Sequence, residues 1–168
     1  VPNSLWFHMD WLQARPFIDK FWEPESYYDD WQGVRDLFLF RLGEVYLIAA
    51  EAYYKAGNPA LAAERINTLR RRACGSDYMD IKASDVDVDF ILDERTRELA
   101  AEELRWVELK RTGKLKERTL KYNYWANSPF IPGGKPYLED FHYLRPIPYS
   151  WWSLLSNKDE VKQNPGYE

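Results

Sequence analysis

Residues 40–58 read Phe-Arg-Leu-Gly-Glu-Val-Tyr-Leu-Ile-Ala-Ala-Glu-Ala-Tyr-Tyr-Lys-Ala-Gly-Asn, and the parsing of this stretch decides the fold. Leu42, Val45, Tyr46, Ala49, Ala52, Tyr53 and Ala56 recur at three- and four-residue spacing, which places them on one face of a helix. Gly57 can take the left-handed conformation that ends a helix. Asn58 can then cap a second helix, with Pro59 at its first position, where a missing amide costs nothing. That helix carries Leu61, Ala62, Ile66, Leu69 and Ala73 inward and Arg65, Arg70, Arg71 and Arg72 mostly outward. The stretch therefore predicts a tight antiparallel hairpin. Ala49, Ala52, Ala56, Ala60 and Ala63 allow a close backbone approach, with Tyr46, Tyr53 and Leu69 filling the gaps. Tyrosine and alanine around a Gly-Asn-Pro turn suggest a tetratricopeptide-type unit, with any other αα-hairpin as the plainer alternative.

Outward from the hairpin, residues 94–113 predict one long charged helix with Leu92, Leu99, Trp106 and Leu109 as its apolar stripe. Asp87 or Asp89 is the expected N-cap and Gly113 the stop. Glu94, Arg95, Glu98, Glu102 and Arg105 interleave at helical spacing. Glu94 and Glu98 would repel unless arginines sat between them, so a partly buried ion network is expected. A solvated salt-bridged face is the blander alternative. A catalytic carboxylate pair is disfavoured, because neighbouring arginines hold carboxylates ionised.

The 168 residues suffice for one domain, and 17% of them are aromatic, with 8 Trp and 12 Tyr. Lys and Arg number 23 against 27 acids, a net −4 that gives no electrostatic case for nucleic acid. No apolar run approaches the roughly 20 residues of a membrane span. The lone Cys74 excludes an internal disulfide, and His8 and His142 have no ligand spacing that would hold a metal. No phosphate loop, nucleophile elbow or zinc-protease motif is present, and no cofactor is expected.

The flanks are loop-like and aromatic. Residues 1–39 mix Trp and Phe with prolines and acids, and Arg15 to Phe21 alternates as a short extended segment. Glu23, Glu25, Asp29 and Asp30 invite a glycosidase reading, but such a stretch more often packs its aromatics on helices. From Tyr122 to Pro136 the chain is irregular, and further on Ser150 is the expected cap of a short helix over 151–155 and Asn164-Pro165-Gly166 a closing turn. Tyr122, Asn123, Tyr124, Trp125 and Asn127 form the best local cluster of rings and amides, with Trp22 and Trp31 second. A planar ring with polar neighbours suits a sugar, which has an apolar C–H face and a hydroxyl edge.

Four stretches together resemble the C-terminal region of the SusD/RagB family: 40–51, 63–73 (Ala-Glu-Arg-Ile-Asn-Thr-Leu-Arg-Arg-Arg-Ala), 94–113, and the tail formed by 144–148 (Leu-Arg-Pro-Ile-Pro) and 163–167 (Gln-Asn-Pro-Gly-Tyr). They stand in the family's order, with Glu103 where a glycine is usual and Glu108 where an aspartate is common. The resemblance implies a mainly α fold: a tetratricopeptide-like hairpin plus a long helix, with extended aromatic-rich loops. It implies one C-terminal domain over 1–168, divided into a loop segment (1–39), a helical core (40–113) and a loop-rich tail (114–168), and belonging to a longer protein. It also implies a non-enzymatic outer-membrane lipoprotein, lipid-anchored outside this chain, that binds a glycan for a SusC-like TonB-dependent transporter. A tetratricopeptide-type peptide-binding module is the alternative, and a helical glycoside hydrolase a third.

Overall fold

The expected hairpin forms, and its turn is built as the sequence indicates. Helix α1 spans Leu42–Lys55 and α2 spans Pro59–Cys74. Gly57 has φ +78°, Asn58 N–H donates to Tyr53 O and Gly57 N–H to Tyr54 O, the paired bonds that satisfy the last carbonyls of a helix. Asn58 Oδ1 accepts from Leu61 N at 3.2 Å, which caps α2, and Pro59 stands at its first position. This computed structural model describes residues 20, 36, 38–102, 105–123, 126, 138–157 and 159–167. The expected extended segment at 15–21 lies outside them except for Lys20. The remaining helices are α3 (Val88–Glu98), α4 (Arg105–Arg111), α5 (Leu115–Tyr122) and the single turn α6 (Tyr149–Trp152). The architecture is mainly helical, with no strand among the described residues.

The chain divides into two units, Val1–Glu103 and Leu104–Glu168. The core of the first gathers Leu47, Ala50, Ala62, Ala63, Ile66, Leu69, Val86, Ile91 and Leu99, with Tyr46, Tyr53, Tyr54, Ile81 and Phe90 packed around them. Small residues at Ala50, Ala62 and Ala63 bring α1 and α2 together. Of the alanines expected in that role, Ala63 is buried and Ala49 half-buried, whereas Ala52, Ala56 and Ala60 are exposed, as is Ala73, expected inward. The face that α1 buries differs from the expected one. Gly43, Leu47, Ala50 and Glu51 are buried, while Leu42, Val45, Ile48 and Ala52 are exposed. The helix is apolar nearly all round, so spacing alone does not select a side.

The long third helix is two helices. α3 begins at the expected cap, where Asp87 Oδ1 accepts from Phe90 N at 2.6 Å, but it stops at Glu98. The chain then turns through Ala101, which holds a left-handed φ of +65°. Helix α4 belongs to the second unit and ends, as expected, at Gly113 with φ +71°. At the other end of the tail, α6 starts at Tyr149 rather than after Ser150, and its N-cap position is Pro148, whose side chain makes no capping bond. Pro148 sets φ at −57°, already helical, so the turn begins directly after it.

Between α2 and α3, one buried side chain does what a strand neighbour would do. Asn67 Nδ2 donates to Ile81 O at 3.0 Å, and Asn67 Oδ1 accepts from Ile81 N at 2.9 Å. This pins the connection 75–87 onto α2 and seats Ile81 and Val86 against the core. Asn67→Ala removes both bonds and leaves a half-buried backbone N–H and C=O without partners. It is expected to cost about 2 kcal/mol, read as a lower urea midpoint at unchanged slope.

Candidate functional site

The charged cluster is the first place to look for chemistry, and its geometry is that of a clamp. Glu94 is buried, and its carboxylate takes a two-pronged contact from Arg70 (3.0 and 2.7 Å) and further bonds from Arg97 (2.6 and 3.0 Å). Glu98 accepts from Arg72 at 2.7 and 2.8 Å and from Arg41. Glu102 accepts from Arg41 and Lys20. Lys20 Nζ also donates to Glu98 O at 3.1 Å and Ala100 O at 3.3 Å, the open carbonyls where α3 ends. Gly43 makes room for this cluster: a Cβ there would lie 2.5 Å from Arg41 Nη1 and 2.8 Å from Glu98 Oε1.

Burial alone would raise the pKa of Glu94, but hydrogen bonds from Arg70 and then Arg97, with their charges, more than offset it and hold the group below its ordinary range. Glu102 is likewise lowered: burial opposes the shift, and bonds from Arg41 and Lys20 overcome it. Carboxylates held ionised by two cations each are poor proton donors. The cluster is the expected partly buried ion network, tying the start of α1 and the end of α2 to α3.

Of the ring-and-amide residues singled out from the sequence, Tyr122 and Asn123 are described, and Tyr124, Trp125, Asn127, Trp22 and Trp31 lie outside the described residues. Tyr122 ends α5 and is 59% exposed. The guanidinium of buried Arg118 and the ammonium of Lys121 each sit 5.0 Å from its ring centroid. Asn123 caps α5, and its carbonyl accepts from Ala126 N at 3.0 Å. The two are neighbours at one exposed helix end.

The tail motifs 144–148 and 163–167 clasp one another. In Arg-Pro-Ile-Pro only Ile147 offers an amide proton between the two prolines. Gln163 accepts it at 2.7 Å through Oε1, and returns a bond from Nε2 to Ile147 O at 2.9 Å. Asn164 Nδ2 donates to Arg145 O at 2.7 Å, and Tyr167 Oη to Leu144 O at 3.0 Å. The Tyr167 ring meets Phe141 edge to face at 5.1 Å. Trp152 Nε1 donates to Val161 O at 2.8 Å, closing the loop from α6 back to the clasp. Beside it opens a cleft of about 710 Å³ whose described lining includes Tyr149, Trp152, Asp159, Val161, Lys162, Gln163 and Tyr167. Sequence reasoning placed Trp151, Trp152 and the 163–167 motif but did not join them. The available signal was a Tyr-Ser-Trp-Trp run at 149–152 ahead of the Gln-Asn pair at 163–164.

Comparison with known proteins identifies the family. The family model described as the SusD family matches residues 7–167. SusD-like protein P25 of Formosa agariphila is 32% identical over 159 residues, which cover 88% of this chain and 27% of that protein. SusD-like protein P38 of the same organism is 38% identical over 90 residues, covering 49% of this chain and 18% of that protein. The chain thus spans about a quarter or less of the length of these relatives. With the helical hairpin, the arginine-clamped α3 and the clasped tail in the order that the resemblance implies, the chain belongs to the SusD family.

Proposed function

We propose that the protein is a non-catalytic binder at the cell surface, holding a glycan for import through a SusC-like TonB-dependent outer-membrane transporter, with a lipid anchor supplied outside these residues. The observation that carries this reading is membership of the SusD family along nearly the whole chain. The geometry supports it: the first unit's best-buried acids are locked by cations, while the tail unit presents Tyr122, Tyr149 and Trp151 to solvent. Tyr122, Asn123, Tyr124, Trp125, Asn127, Trp22 and Trp31 are proposed as loop contacts to the sugar. No helix among the described residues is long and apolar enough to cross a membrane. The peptide-module reading calls for polar side chains on the hairpin's open face. The exposed stripe of α1 is instead Leu42, Val45 and Ile48.

The test is calorimetric titration of the full-length protein with a panel of oligosaccharides. Saturable binding of at least one sugar, weakened by Trp125→Ala, is expected. Binding of unstructured peptides with no response to any sugar would replace this reading with the peptide module.

A further inference from the structure

We infer that the cleft beside the tail clasp is a subsite for an uncharged pyranose unit, stacked on Tyr149 and Trp152. This inference rests on the glycan-binding reading and adds a place and a ligand class to it. The volume of about 710 Å³ falls within the roughly 300–1,000 Å³ usual for small-ligand sites. Its two rings lie 6.0 Å apart, tilted by 46°, so they form an angled platform rather than packing face to face. Trp152 is fixed by its bond to Val161 O, and Tyr149 stands beside it 75% exposed. A rigid ring next to an open one offers the apolar faces that the C–H side of a sugar covers.

The polar rim supplies what the hydroxyl edge needs. Asp159 and Lys162 form no ion pair among the described residues, in contrast with the clamped acids of the first unit. One accepts and the other donates, and their opposite charges give the rim no preference for an anionic sugar such as a uronate. Gln163 is held in place by its bonds to Ile147, which leaves its second amide proton on Nε2 for a ligand oxygen. The clasp thereby fixes three sides of the cleft: Trp152, Gln163 and Tyr167. A preorganised site of this kind loses little side-chain freedom on binding.

The test is titration of the full-length protein with cellohexaose, laminarihexaose, mannohexaose and xylohexaose, and with hexagalacturonate as the anionic probe. At least one neutral sugar is expected to bind more tightly than the uronate. Tyr149→Ala should weaken it about tenfold, roughly 1.4 kcal/mol, while Tyr149→Phe, which keeps the ring, should stay within about twofold. Asp159→Asn, a change at an exposed side chain, should weaken it roughly threefold or more. Binding of a neutral sugar that is indifferent to Tyr149→Ala and Asp159→Asn overturns the cleft assignment and leaves the uptake reading standing. Preference for the uronate overturns the uncharged-ligand assignment. No binding of any of these sugars overturns both readings.

Discussion

Replacing Glu94 with alanine is expected to lower the unfolding free energy by about 3–5 kcal/mol, because it leaves the largely covered Arg70 guanidinium without its counter-charge. Arg70 is largely covered and spends two of its donors on this one carboxylate, and Arg97 adds two more bonds. Both guanidiniums also sit over the Phe90 ring, at 5.2 and 5.7 Å, so displacing them disturbs core packing as well. A stability of about 5–15 kcal/mol is ordinary for a folded protein, so the loss is a large fraction of the whole. Urea denaturation followed by circular dichroism measures it, and a loss under 1 kcal/mol would mean that the clamp contributes little. The same residue sets an acid limit. Folding depresses the Glu94 pKa, so the unfolded chain takes up this proton at higher pH than the folded one. The stabilisation is complete above the ordinary value of 4.5 and drains away as pH falls through the lower folded value. Glu102 adds to the loss in the same direction. In Glu94→Ala, stability should depend less steeply on pH below 4.5.

Gly166→Ala is expected to open the tail. Gly166 has φ +86°, and a Cβ there would lie 2.5 and 2.6 Å from two Phe141 ring atoms and 3.0 Å from Phe141 Cβ. Left-handed backbone costs an L-residue about 1–2 kcal/mol, and overpacking adds about 1–3, for a total of about 2–5. Gly57→Ala separates the two contributions. Its φ of +78° is similar, but nothing lies within 4 Å of the added methyl, so only the backbone cost applies. The readout is hydrogen exchange at the Ile147 amide, which is protected only while Gln163 holds it. Gly166→Ala should speed that exchange by at least about tenfold. Equal behaviour of the two variants at their own sites would show that Phe141 yields and that the clasp tolerates the methyl.

What the sequence revealed follows from how local each interaction is. Gly57, Asn58, Pro59, Asp87 and Gly113 were legible because a helix end is decided by residues within one turn. The side that α1 buries was not, since Leu42 and Val45 on one side and Leu47 and Ala50 on the other are equally apolar. The break after Glu98 carries no glycine or proline to announce it. The carbonyls it exposes are met by Lys20 and Arg41, which come from 78 and 57 residues away. The ion network was foreseeable from the Glu and Arg spacing, but its partners on α1 and α2 were not. In the tail, both motifs were recognisable as strings, yet the pairing of Gln163 with Ile147 depends on a fold-back that no periodicity encodes. The cleft beside that pairing was hidden for the same reason.

The most direct test is to incubate the full-length protein with the tightest-binding oligosaccharide, measure saturable binding by calorimetry, and then chromatograph the recovered sugar. A surface binder predicts a saturable isotherm and a sugar of unchanged length. Shortened products would show that the protein is an enzyme, and the absence of saturable binding to any glycan would contradict the uptake function.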